Sequence, residues 1–188
     1  MINAAIFASG EGTNAENIIK HFTNDPRIKI KLVVTNRDDA GVISRAEKYK
    51  KNVQIISKEA LNTYTDKIIE FLQTEKIDLI ILAGFLLKMP EQFVKAFPDK
   101  IINIHPALLP KHGGKGMYGM NVHKAVIDAK DAESGITIHF VNEEYDKGET
   151  VLQVKCPVDI NDTPETLAKK IRALEHQYYP LAIEKLLQ

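Results

Sequence analysis

The chain has no tryptophan and a single cysteine, Cys156, among 188 residues. One thiol cannot close an internal disulfide, so stability has to come from a packed apolar core, which a chain of this length can bury. Excess charge is also missing: 25 Lys and Arg balance 25 Asp and Glu. No domain-wide basic field is present to draw in nucleic acid or an anionic membrane surface, so neither is expected as a partner, and small diffusible substrates become the default. Long hydrophobic runs are absent too. The longest, LIILAGFLL at 79–87, is far short of the roughly 20 residues a membrane helix needs, and reads as a core strand entering a loop. The start, MINAAIFASG, lacks the charged opening and long apolar run of a signal peptide, which leads to the expectation of a cytoplasmic protein. Six histidines show no tight ligand spacing, so no metal is expected. With no repeat, low-complexity tract or linker, residues 1–188 are expected to form one domain.

Short apolar runs alternate with amphipathic stretches over the first hundred residues. AAIFAS (4–9), KLVVT (31–35), VQII (53–56), DLIILA (78–83) and IINIH (101–105) predict strands. NAENIIKHF (14–22), GVISRAEKY (41–49) and TYTDKIIEFLQTE (63–75) space apolar residues three or four apart and predict helices. That alternation predicts an α/β fold, a Rossmann-like open, mostly parallel sheet with helices on both faces. After residue 130 the pattern changes. Residues 134–158 predict an antiparallel hairpin turning around Asp146, Lys147 and Gly148. A long C-terminal helix follows, begun by Asp162-Thr163-Pro164-Glu165, and Pro180 is expected to kink or interrupt it.

Between the first strand and first helix, Gly10-Glu11-Gly12-Thr13-Asn14-Ala15 satisfies G-x-G-x-x-A. A glycine turn there lets backbone N–H groups and a helix N-terminus approach a phosphate, although glycine also serves such turns for steric reasons alone. A dinucleotide site would place an acid at the end of the second strand; here Thr35-Asn36-Arg37 precedes Asp38, which fits a phosphate on a smaller substrate equally well.

The fifth predicted strand ends in NIHPALLP (103–110). Ligands of open parallel sheets sit beyond the C-terminal strand ends. Asn103 and His105 lie there two residues apart, so both side chains face the same side, while Pro106 and Pro110 shape the outgoing loop. Plain structural roles remain open for both residues: a turn-capping amide and a satisfied core imidazole.

NIHPALLP, ILAGFLLKM (81–89), SGEGTN (9–14), GITIHFVNEEYDKGETVLQ (135–153) and EHQYYP (175–180) together resemble the phosphoribosylglycinamide formyltransferases of purine biosynthesis, with the motifs in order over nearly the whole chain. The wider folate-dependent formyltransferase superfamily shares the Asn-x-His core and a later Asp. The resemblance implies catalysis by Asn103, His105 and Asp146, with 10-formyltetrahydrofolate as co-substrate, glycinamide ribonucleotide as acceptor, and no metal. It implies that Gly12, Thr13 and Asn14 hold the substrate phosphate and that Glu175 contacts the ribose or the glycinamide amine; a solvated helix face is the plain alternative for Glu175. Leu86, Leu87, Lys88 and Met89, with Asn142, Glu143, Glu144 and Tyr145, would line the folate pocket. Residues 1–100 would then form the phosphate-binding half and 101–188 the catalytic and folate-binding half, in a monomer or weak homodimer.

The implied chemistry suits those residue types. Formyl transfer to an amine passes through a tetrahedral oxyanion, which needs donors where charge develops. Asn103 offers an amide N–H; a protonated His105 offers a charged one, and Asp146 is expected to raise its pKa. Several points depart from the commonest pattern or stay open. HGGKGMYGMNVHKAV (112–126) is glycine-rich and is expected to be a mobile lid. Lys58 and Lys88 are the candidates for the folate glutamate tail. His139 either orders Asp146 or fills a polar niche, and Cys156 is read as a strand residue. Methionyl-tRNA formyltransferases carry a further C-terminal domain and formyltetrahydrofolate hydrolases an N-terminal regulatory one, so the short chain favours the glycinamide ribonucleotide enzyme. A nucleotide-binding module or NAD-dependent enzyme using only the glycine loop is the alternative from another class.

Overall fold

A computed structural model describes all of residues 1–188. Seven strands form one sheet of order β3-β2-β1-β4-β5-β6-β7, and the chain divides into two compact units, Met1–Ile102 with Leu187–Gln188, and Asn103–Leu186.

In the first unit, β1 (Ile2–Phe7), β2 (Ile28–Thr35), β3 (Asn52–Ile55) and β4 (Leu79–Leu82) run parallel, with β1 paired to both β2 and β4. The core lies along β1, where Ala4 to Ala8 are fully buried. Small residues on this central strand admit Phe93, which meets Phe7 edge-on at 6.2 Å between ring centres. The strand order reverses between β1 and β4, so their C-terminal ends mark the topological switch point, the usual ligand position in such sheets. Helices α1 (Thr13–His21), α2 (Val42–Lys48), α3 (Lys58–Thr63), α4 (Thr65–Thr74) and α5 (Glu91–Ala96) fill the connections. The helix expected over 63–75 is α4; α3, which was not expected, precedes it, capped by Ser57, whose Oγ accepts from Ala60 N–H at 3.1 Å. The six-residue α5, opening after Pro90, was too short to be marked by periodicity.

In the second unit lie the end of β5 (Ile101–His105), α6 (Met120–Asp128), β6 (Glu133–Phe140), β7 (Thr150–Pro157) and α7 (Pro164–Leu186). The expected hairpin is present, with β6 and β7 antiparallel, and Cys156 lies on β7. Gly148 is required at its turn, because a Cβ there would fall 1.7 Å from the Phe140 carbonyl oxygen. Two expectations are corrected. Residues 112–126 are not one long loop, since α6 begins at Met120 and buries Val122, His123 and Val126. Pro180 does not interrupt α7, which is one helix to Leu186 with Pro180 inside it. Proline there forfeits a single i→i−4 hydrogen bond, while Tyr179, Ala182 and Ile183 around it are essentially fully buried and hold the helix by packing.

Candidate functional site

The polar end of β5 brings buried polar side chains together in the second unit. His105 and His139 are 3% and 2% exposed, so their few hydrogen-bond partners fix which nitrogen carries the proton. His105 Nε2 lies 2.8 Å from the carbonyl oxygen of His112. A carbonyl only accepts, so Nε2 carries the proton and Nδ1 is the basic atom of the neutral ring. Nδ1 faces Asp146 Oδ2 at 3.7 Å. His139, reached by period-2 alternation from Thr137 on β6, donates from Nδ1 to the Phe140 carbonyl at 2.8 Å. Its Nε2 accepts from the Asn103 amide at 3.3 Å and lies 3.6 Å from Asp146 Oδ1. Asn103, His105 and Asp146, separated by up to 43 residues in sequence, therefore converge, with His139 joining the amide to the carboxylate. Both rings turn an unprotonated nitrogen toward one carboxylate, an arrangement suited to receiving a proton.

Burial pushes the His105 imidazole below its ordinary value; the Asp146 charge acts upward, as expected, but is outweighed. The expectation that Asp146 would bring about a net rise is thus corrected: desolvation of a cation in a dry niche exceeds the attraction of one carboxylate. For Asp146, burial acts upward, but the facing His139 ring, the Gly114 N–H and the His105 ring together hold the carboxyl below its usual range. Asp146 sits at φ 54°, in the left-handed region, and its Oδ2 accepts from Gly114 N–H at 2.8 Å.

Two residues that carried no sequence signal hold the 106–110 loop. Thr137 Oγ1 donates to the Ala107 carbonyl at 2.7 Å and accepts from Leu109 N–H at 3.0 Å and Gln153 Nε2 at 2.9 Å. Gln153 also donates to the Leu109 carbonyl at 3.1 Å. Their partners are loop backbone atoms and each other, which residue patterns do not reveal.

In the first unit, the glycine loop caps α1. Gly12 has φ 72°, and a Cβ there would fall 2.5 Å from Val42, so both conformation and space demand glycine. The loop carbonyls are turned back onto α2: Gly10 O accepts from Val42 N–H at 3.1 Å and Glu11 O from Arg45 Nε at 2.7 Å. Since C=O and N–H point oppositely across a trans peptide, the N–H groups of Glu11 and Gly12 are directed away from α2. Thr13 and Asn14 open the helix, half-buried. Beyond β4, Ser9 donates from its N–H to Gly84 O at 3.0 Å and accepts from Leu86 N–H at 2.9 Å. Of the apolar residues assigned to the folate wall, Leu86 is 54% exposed and Met89 only 4%; Met89 packs in the core. Lys88 is exposed, as is Lys58 at the start of α3.

In the 141–149 segment, Asn142 Oδ1 accepts from Glu144 N–H at 3.0 Å, and Glu143, Glu144 and Tyr145 are exposed. Glu175 is half-buried on α7, and its charge reaches the fully buried Tyr179, so it is not a freely solvated face residue. The 23 residues of α7 are the longest helix, and no helix is long and apolar enough to cross a membrane.

Comparison with known proteins places these observations. A family model described as formyl transferase matches residues 2–183. The chain is 42% identical over 182 residues to a chloroplastic phosphoribosylglycinamide formyltransferase of Arabidopsis thaliana, covering 93% of this chain and 62% of that protein. It is 37% identical to the phosphoribosylglycinamide formyltransferase of Haemophilus influenzae, covering 98% of this chain and 86% of that one. The crystal structure of glycinamide ribonucleotide transformylase 1 from Geobacillus kaustophilus superposes with a TM-score of 0.91 at 31% identity, with both chains fully covered.

Proposed function

Because the chain belongs to the formyl transferase family, we propose that it moves a formyl group from N10-formyltetrahydrofolate to the amine of glycinamide ribonucleotide, a step of purine biosynthesis. The observation that carries this reading is the convergence of Asn103, His105 and Asp146, with His105 Nδ1 turned to the carboxylate at 3.7 Å.

The amine nitrogen bonds to the formyl carbon, and the carbonyl electrons move to oxygen, giving a tetrahedral oxyanion. Asn103 has two amide hydrogens; one is directed to His139, and the other is available for that oxygen. The attacking amine sheds a proton as its bond forms. His105 is suited to accept it at Nδ1, since burial leaves the ring neutral beforehand and Asp146 favours the cation once formed. The imidazolium then adds to oxyanion stabilisation and returns the proton to N10 of the departing folate as the C–N10 bond breaks. A neutral ring that becomes charged during reaction replaces the pre-protonated donor expected from sequence. His139, facing the second oxygen of Asp146, is a second holder for the same proton.

Gly12, Thr13 and Asn14 are assigned to the substrate phosphate, on the strength of the outward N–H groups of Glu11 and Gly12. Glu175 is assigned to the acceptor's ribose or amine. The folate is assigned to exposed Leu86, with Leu87 and Lys88, and to the 142–145 segment, while Met89 contributes only by supporting them. Both substrates are small molecules, and no group in this scheme calls for a metal.

Replacing Asn103 with Ala is expected to lower turnover by about 10²- to 10³-fold with the fold retained, the usual effect of losing one oxyanion donor. Steady-state rates with formylfolate and glycinamide ribonucleotide measure this; a folded variant with a near-normal rate would reject the assignment.

A further inference from the structure

The residues that hold His105 and Asp146 in place lie on one short loop, and that loop is itself tied from outside the site. His112 offers its carbonyl to His105 Nε2 at 2.8 Å, and two residues later Gly114 offers its N–H to Asp146 Oδ2 at 2.8 Å. The segment 112–114 thus grips the base and its carboxylate partner with two backbone groups. It does so in a conformation that does not hold itself: His112 has φ 53° and Gly114 φ 96°. A residue with a Cβ stays in the left-handed region only where its surroundings fix it there.

The fixing group is Asp131, which lies between α6 and β6. Its Oδ2 accepts from His112 Nε2 at 2.8 Å and its Oδ1 from Lys111 Nζ at 3.0 Å. One carboxylate, 16% exposed, thereby anchors two successive loop residues. A cavity of about 290 Å³ lined by Leu108, Lys111, His112, Asp131 and Ser134, among others, flanks the anchor. On that side the loop is not closely packed, so the carboxylate is its main tether there.

We propose that Asp131 and His112 are positioning residues: through the 112–114 backbone they hold His105 as its Nε2–H tautomer, with Nδ1 presented to Asp146. Neither contacts the reacting atoms. The inference rests on the assignment of His105 as the proton acceptor, and its test separates the two.

The test uses the full chain and the variants Asp131→Ala, Asp131→Asn and His112→Phe. In the substrate-free protein, long-range ¹H–¹⁵N NMR of the His105 ring reports its tautomer. The wild type is expected to show Nε2–H alone, and Asp131→Ala and His112→Phe a mixture. Asp131→Asn, which keeps one acceptor oxygen for His112, should stay closer to wild type than Asp131→Ala, and His112→Phe covers the case in which the alanine variant does not fold. In turnover, Asp131→Ala should lower kcat by on the order of 10- to 100-fold with KM changed less than about twofold. Its kcat–pH midpoint should also move, because the groups facing His105 are Asp146, His139, His112 and His123, and the loop sets the distance to the first. A wild-type tautomer in both Asp131→Ala and His112→Phe, or a loss confined to KM, overturns the proposal. If the wild type transfers no formyl group, the functional reading fails, and the tautomer comparison still decides whether the strap exists.

Discussion

His105 shows how one side chain can be made ready for a proton without carrying one. A fully solvated histidine near neutral pH is partly protonated and would be a poor acceptor; burial removes that proton and leaves Nδ1 free against Asp146. An NMR titration of His105 is therefore expected to give a midpoint below the ordinary histidine value of about 6.5. Asp146→Asn should lower it further, because the carboxylate is the main influence pulling it up. A midpoint above 6.5, or a rise in the variant, would contradict the balance described. At this scale the sequence was legible where the signal was periodic: Asn103 and His105 alternate at a strand end, whereas His139 was left between ordering Asp146 and filling a polar niche. It was silent on His112, Asp131, Thr137 and Gln153, whose partners are backbone atoms or lie across long-range contacts. The net direction at His105 was also beyond reach, since it depends on how dry the niche is, which only packing decides.

Elements with strong periodicity or caps were readable, and short ones were not. β5 spans Ile101–His105 as expected, while α3 and α5, at six residues each, are too brief for an apolar stripe to repeat. Pro180 misled because local propensity was weighed without the burial that overrides it. The start of α7 illustrates a signal that was sound. Thr163 Oγ1 accepts from Thr166 N–H at 3.3 Å, and Thr166 Oγ1 accepts from Thr163 N–H at 2.9 Å, a reciprocal cap with threonine in the place usually taken by glutamate. Asp162 adds a clamp through Lys170, which holds its carboxyl down at about 2. Thr163→Ala is expected to cost about 1 kcal/mol, read as a shift of the denaturation midpoint in urea; no shift would mean the helix is held by packing alone.

For the molecule as a whole, the same burial that readies His105 makes it sensitive to acid. His105 and His123 both titrate below their ordinary value, chiefly through desolvation. Their unfolded forms therefore take up a proton first as pH falls. The stability they contribute is intact above about pH 6.5 and is lost progressively as pH drops through the folded values. The lowered carboxyls, Asp131, Asp146 and Asp162, act the same way but only below the ordinary carboxylate range near pH 4. Tm should accordingly fall between pH 7.5 and 5, by roughly 2–4 °C for each kcal/mol lost. A Tm that is flat over that interval would show that the buried rings do not govern it.

The measurement that bears most directly on function follows a ¹³C-labelled formyl carbon from N10-formyltetrahydrofolate by NMR, with glycinamide ribonucleotide and catalytic amounts of the protein. The account predicts that the label appears on the glycinamide nitrogen over many turnovers. Label recovered only as formate would mark a hydrolase, and label left on the folate would contradict formyl transfer altogether.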